Sequence, residues 1–235
     1  MNAKRRARPF AMAAMLAMAI LPVMHAAKGA EPEPPSQSPS PSGRTIATQG
    51  TAKGIPACIS CHGANGEGNA AAGFPRLAGV SEPYLAAQLA AFADGTRENS
   101  IMQPFAKIMS RDGREAVAQY FSSLPAPKDL RSRDSADVST TDTGAWLATR
   151  GRWQQDLPAC VQCHGPGGAG VGTVFPPLAG QPAAYIEAQL KAWKNGTRAP
   201  GPLALMPTIA SKLSDADIQA VAQYYAQADA QAANK

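Results

Sequence analysis

The sequence predicts an all-α protein made of two tandem helical domains. The chain repeats itself once, its apolar residues recur at helical spacing within each copy, and no alternating β-branched run is long enough for a strand. Pro56-Ala57-Cys58-Ile59-Ser60-Cys61-His62-Gly63 returns as Pro158-Ala159-Cys160-Val161-Gln162-Cys163-His164-Gly165, 102 residues on. Phe74-Pro75-Arg76-Leu77-Ala78-Gly79 returns as Phe175-Pro176-Pro177-Leu178-Ala179-Gly180 at an offset of 101. Tyr84, Gln88, Leu89, Gly95, Thr96 and Arg97 keep that offset to Tyr185, Gln189, Leu190, Gly196, Thr197 and Arg198. Met102, Ala106, Val117, Ala118, Gln119 and Tyr120 match Met206, Ala210, Val221, Ala222, Gln223 and Tyr224 at 104, so the second copy holds three extra residues before Met206. The repeat places one domain at 44–125 and the other at 143–231, with 126–142, which holds Pro127 and mixed charge, as a linker.

Within the first copy Tyr84, Leu85, Gln88, Leu89 and Phe92 share a helical face, as do Tyr185, Ile186, Gln189, Leu190 and Trp193 in the second. Gly95 and Gly196 stand where a helix C-terminus favours a left-handed residue. A later helix carries Val117, Tyr120, Phe121 and Leu124, echoed by Ile218, Val221, Tyr224 and Tyr225. Ser214-x-x-Asp217 reads as its N-cap in the second copy. The first copy has Ser110-Arg111-Asp112-Gly113-Arg114 there, with positive charge opposed to the helix dipole.

Ahead of the repeat lies an address. Lys4, Arg5, Arg6 and Arg8 precede an apolar run from Phe10 to Val23, and Ala26, Ala27 and Ala30 offer small residues for cleavage. This is the layout of a secretory signal peptide over 1–30; its length also fits a short N-terminal membrane anchor. Either fate puts the remainder outside the cytoplasm, in the periplasm. Residues 31–43 interleave Pro and Ser and read as an extended spacer. The 21 Gly and 21 Pro among 235 residues stay below the roughly 25–30% that marks a low-complexity chain. The net charge of +5 comes from the leader: residues 1–30 hold five basic side chains and no acid, which leaves 17 of each sign in the body. A neutral body argues against nucleic-acid binding by phosphate neutralisation.

All four cysteines lie in the two Cys-x-x-Cys-His motifs, and of three histidines only His25, in the leader, lies outside them. On one helical turn, positions i, i+3 and i+4 share a face. Cys58 and Cys61 can therefore meet the rim of a flat ring while His62 reaches its centre, the attachment pattern of haem c. Cys160, Cys163 and His164 do the same in the second domain. A structural zinc site needs four N/S ligands, and each domain offers three. A redox dithiol would sit in a βαβ context, and a pair of disulfides would not explain a histidine at the same place twice. Two covalent haems also give aromatic-poor domains, each of some eighty residues, a large apolar centre to pack around.

With no spare histidine in the body, the sixth iron ligand falls to methionine. Met102 and Met206 occupy equivalent positions, whereas Met109 aligns with Leu213 and reads as a core side chain. Lysine has no matching position in both copies. The carbonyls of Pro75 and Pro176 are candidate acceptors for the second ring nitrogen of each histidine. Arg97 and Arg198 fit either haem propionates or a solvated surface. Gly165-x-Gly167-x-x-Gly170 has dinucleotide-binding spacing but follows the cysteine motif instead of a strand; its glycines are expected to let the loop pass close to the porphyrin. Asn195-Gly196-Thr197 matches a glycosylation sequon, yet Asp94-Gly95-Thr96 stands in the same place, so the shared feature is a turn.

With Pro-Ala-Cys-x-x-Cys-His-Gly, Phe-Pro-x-Leu-Ala-Gly, Tyr-x-x-x-Gln-Leu, Gly-Thr-Arg and Met-x-x-x-Ala present in both halves, the chain resembles the dihaem cytochrome c4 family of tandem class I cytochrome c domains. The resemblance covers about residues 44–230. It implies two small helical domains with haems near their interface, passing single electrons from a quinol-oxidising complex toward a terminal oxidase. Each iron would change oxidation state with His and Met bound, needing no open position; the protein is then a carrier and not an enzyme. The alternative is a cytochrome subunit of a membrane or periplasmic dehydrogenase. A dihaem peroxidase shares only the haem number, and the want of a spare acid–base histidine argues against it.

Overall fold

The computed structural model describes residues 42–126 and 138–227. The leader at 1–30, the spacer up to residue 41, linker residues 127–137 and the end of the second domain from residue 228 lie outside them. The described residues are helical, with four isolated β-bridges and no strand. None of their helices is long and apolar enough to cross a membrane.

The first domain runs α1 (Gly43–Gln49), α2 (Ile59–His62), α3 (Glu82–Asp94), α4 (Met102–Ile108) and α5 (Arg111–Ser123). The second repeats the order as α6 (Thr143–Thr149), α7 (Val161–His164), α8 (Ala183–Lys194), α9 (Leu205–Ser211) and α10 (Asp215–Ala226), with 3-10 turns at Trp153–Gln155 and Pro166–Gly168. In each domain the first helix and the long middle helix pack on the last, and the methionine-bearing helix packs on the middle one.

The opening helices α1 and α6 carry little apolar periodicity and escape sequence reading; their packing explains them. Ser42 caps α1 by accepting from Thr45 N, and Asp142 caps α6 by accepting from Ala145 N. Behind these caps, Gly43 and Gly144 let each helix cross α5 or α10 backbone to backbone. A Cβ at either glycine would run into the carbonyl of Ala116 or Ala220. The cores form around these crossings: Ala47, Val80, Leu85, Ala118 and Phe121 in the first domain, and Leu147, Ile186, Leu190, Ile218, Val221 and Tyr225 in the second.

The expected C-terminal glycines are in place, Gly95 at φ 85° and Gly196 at φ 75°. Ser214 and Asp217 form a complete capping box on α10. The first copy solves the same problem differently. Ser110 caps α5 by accepting from Gly113 N, Asp112 supplies first-turn negative charge, and Arg111 pairs with Glu115 at 2.8 Å. Arg114 faces back to donate to the carbonyls of Met109 and Ala106, at 2.7 and 3.3 Å, at the end of α4. The charge that looks unfavourable in sequence thus serves the preceding helix.

The two domains meet across a pseudo-twofold polar girdle. Arg97 and Arg198 form an antiparallel bridge, flanked by Glu98 N to Thr197 O at 2.9 Å and Ala199 N to Thr96 O at 2.7 Å. Arg97 donates to Gln88, Gln189 and the Tyr185 hydroxyl, and Arg198 to Gln189, Gln88 and the Tyr84 hydroxyl. Each guanidinium also stacks on an aromatic ring of its own domain, Phe92 at 4.4 Å and Trp193 at 3.9 Å. Both arginines are 6% exposed, which overturns the solvated-surface reading. Sequence periodicity registered Tyr84, Gln88, Tyr185 and Gln189 only as helix-face residues; the polar members of that face bind the partner domain.

Gly144→Ala is expected to cost about 1–3 kcal/mol, the range for forcing extra volume into a packed contact, in denaturant unfolding; an unchanged midpoint would contradict the α6–α10 crossing. Asp217 is held at a pKa of about 2, chiefly by the Arg152 guanidinium that grips both carboxylate oxygens at 2.9 and 2.6 Å. Its folded pKa lies below the unfolded value near 3.9, so the stability it contributes is full above about pH 4 and is lost as pH falls toward 2. The Tm advantage of the native chain over Asp217→Asn should therefore shrink across that window, and an advantage constant from pH 5 to 2 would exclude the mechanism.

Candidate functional site

Each Cys-x-x-Cys-His motif folds as a single helical turn. Cys58 and Cys160 are the N-cap residues of α2 and α7, and the backbone bonds from His62 N to Cys58 O (3.0 Å) and His164 N to Cys160 O (2.9 Å) close the turns. Cys58, Cys61 and His62 thereby share one face, as do Cys160, Cys163 and His164. All four cysteines are unpaired and half-buried. Burial pushes the Cys58 thiol up, and takes Cys160 to about 11 despite the neighbouring Tyr225 hydroxyl. A redox dithiol relies on a thiol pKa brought below the ordinary value, and burial moves Cys58 and Cys160 the other way.

Both histidines are 7% exposed. The Nδ1 of His62 lies 2.9 Å from the Pro75 carbonyl, and that of His164 lies 2.7 Å from the Pro176 carbonyl. A carbonyl can only accept, so Nδ1 carries the proton and Nε2 keeps its lone pair, the form that binds a metal. Burial lowers the proton affinity of each ring, with the carbonyl bond opposing it, and the imidazoles stay neutral. These acceptors are the two carbonyls expected from the sequence.

The carbonyls are themselves fixed by a repeated set of backbone bonds. Gly68 N donates to His62 O and Gly170 N to His164 O, both at 2.7 Å, while Leu77 N donates to Gly66 O and Leu178 N to Gly168 O, both at 2.8 Å. A Cβ on Gly68 would sit 2.7 Å from Arg76 N, and one on Gly170 would sit 2.8 Å from Pro177 N. Both glycines have φ near 90°, so the loop closes on the proline segment only with glycine there. That accounts for Gly170 of the apparent dinucleotide motif, which packs against Phe175 O and Pro177 N.

Met102 opens α4 and Met206 lies in the first turn of α9; both are half-buried. Asn99 Oδ1 accepts from Met102 N at 2.8 Å and Ile101 N at 3.0 Å, pinning the entry to α4. The longer loop of the second copy enters α9 through Ala204 at φ 50°. Met109 is 7% exposed among Ile46, Ile55 and Val117, a core position.

A pair missed in sequence lies between the domains. Arg76, 1% exposed, donates its backbone N–H to Gln181 Oε1 at 3.0 Å and accepts from Gln181 Nε2 at 2.9 Å. Its guanidinium donates to the carbonyls of Ala78 and Ala179. The signal was present: in the repeat Arg76 aligns with Pro177 and Gln181 with Val80, so two polar residues depart together from the duplicated pattern.

Two thiols and a neutral buried imidazole on one turn, beside an apolar core, fit a haem c in each domain. The cytochrome c family model matches residues 42–125, and that of cytochrome c oxidase, cbb3-type, subunit III, matches 145–224. The thiosulfate dehydrogenase electron acceptor of Thiomonas intermedia is 53% identical over 72% of this chain and 77% of its own length. Cytochrome c4 of Pseudomonas aeruginosa is 37% identical over 71% of this chain and 81% of its own. Among solved structures, thiosulfate dehydrogenase (TsdBA) from Marichromatium purpuratum superposes with a TM-score of 0.70 at 46% identity, covering 78% of this chain. This chain spans only 39% of that one. The protein is therefore an all-α, dihaem electron carrier with two covalently attached haems c, exchanging electrons with redox partners and performing no catalysis of its own. With the fold, the duplicated motif and these relatives in agreement, the chain belongs to the cytochrome c4 family.

Proposed function

We propose that this chain is a periplasmic acceptor of single electrons from a thiosulfate-oxidising dehydrogenase, which it relays toward a terminal oxidase of the respiratory chain. The observation that carries the donor is the 53% identity to a thiosulfate dehydrogenase electron acceptor, well above the 37% to a cytochrome c4. Export rests on the leader at 1–30, which either is removed or tethers the protein through the spacer. A general carrier from a quinol-oxidising complex is the second reading, favoured by the cytochrome c4 relatives.

In this role Cys58, Cys61, Cys160 and Cys163 would attach the haems through thioethers, and His62, His164, Met102 and Met206 would hold the irons. Bound haem supplies one-electron Fe(III)/Fe(II) exchange, and methionine ligation raises its potential relative to two histidines. The chain's part is to hold ligands still. The Pro75 and Pro176 carbonyls fix the two ring tautomers, and Asn99 and Arg114 fix the two ends of α4.

Met206→Ala should leave the second haem attached through Cys160 and Cys163 but lower its potential in a redox titration; two unchanged potentials would exclude Met206 as ligand. Mixed with a purified thiosulfate dehydrogenase and thiosulfate, the oxidised protein should show both haems reduced in the optical spectrum. Reduction only by a quinol-oxidising complex would favour the second reading.

A further inference from the structure

We propose that Gln181, a residue of the second domain, tunes the haem of the first domain through the Pro75–Arg76 peptide bond. The inference rests on His62 being the axial ligand of that haem. The Pro75 carbonyl that accepts from His62 Nδ1 and the Arg76 N–H that donates to Gln181 Oε1 belong to one peptide group. Hydrogen bonds in series polarise one another. An acceptor on the N–H side pushes charge onto the carbonyl oxygen, which draws harder on the imidazole proton and makes Nε2 a stronger donor. A stronger donor stabilises ferric over ferrous iron, so Gln181 lowers the first haem's potential.

The second domain cannot do this. Its carbonyl belongs to the Pro176–Pro177 bond, whose nitrogen carries no hydrogen, and the residue matching Gln181 is Val80, an apolar side chain 3% exposed. The duplication thus leaves two similar histidine sites and places one extra hydrogen bond on one of them, supplied across the interface. The Gln181 amide also donates back to the Arg76 carbonyl, and the Arg76 guanidinium reaches Ala179 in the loop beyond Pro176. The loops that carry Pro75 and Pro176 are therefore held in register by these bonds, and loss of the Gln181–Arg76 hydrogen bond in particular changes the first site.

The test is a spectroelectrochemical titration of the dihaem protein and its Gln181→Leu variant. The first haem's potential should rise and the second stay fixed, so that the equilibrium constant for electron transfer from first to second haem falls roughly two- to tenfold, the scale of one cooperative hydrogen bond. Amide exchange at Arg76 should quicken in the same variant. Should the leucine variant fail to assemble, Gln181→Asn, polar but too short to reach Arg76 N, should give the same rise. Tyr84→Phe removes an interdomain bond from Arg198 without touching the peptide; an equal rise there would show general loosening and overturn the proposal. Ring-nitrogen NMR of the oxidised native protein separates the premises. A His62 ring without paramagnetic shift refutes the ligand assignment, whereas a shifted His62 with an unchanged potential in the Gln181 variants refutes the tuning alone.

Discussion

A neutral imidazole with one nitrogen committed to a backbone carbonyl is the constraint on which both domains depend. That bond needs the histidine on a tight helical turn, the turn stopped by a glycine, and a proline segment brought back beneath the ring. The proline segment in turn needs Gly66 and Gly68, or Gly168 and Gly170, to accept and donate at close range. The last helix then secures the loop, through Gly79 N to Phe121 O and Gly180 N to Tyr225 O, both at 3.0–3.1 Å. Gly66, Gly68, Gly168 and Gly170 are thus explained by one hydrogen bond made twice.

The interface follows a different logic. Two arginines are buried with amide and hydroxyl partners and aromatic stacking on both sides of a pseudo-twofold axis. Guanidinium groups tolerate such sites better than ammonium groups, because their charge is spread and weakly hydrated. The symmetric girdle sets how the domains meet, and the asymmetric Arg76–Gln181 pair marks one domain as different from the other. For an electron carrier that difference matters: two equal haems store charge, but two unequal ones give it direction.

The duplicated motifs made the domain count, the helical class and the cysteine–histidine trios legible in sequence, because covalent chemistry demands fixed spacing. The Pro75 and Pro176 acceptors were legible for the same reason, as a repeated segment just after the turn. Helices α1 and α6 were not, because their existence depends on a glycine crossing with a partner far along the chain. Nor was the role of Arg97 and Arg198. A repeated arginine reads equally well as solvated or buried until its neighbours are known, and half of those neighbours belong to the other domain. The positive charge of Ser110–Arg114 reads in sequence as opposed to the α5 dipole, because the carbonyls that Arg114 meets lie at the end of the preceding helix.

Both domains are built around a porphyrin bonded to the chain through sulfur, one per domain. An intact mass of the protein, made in a host competent for cytochrome maturation, tests it directly. The account predicts the polypeptide mass plus two haems. A mass with one haem or none, from cells that mature other c-type cytochromes, would contradict it.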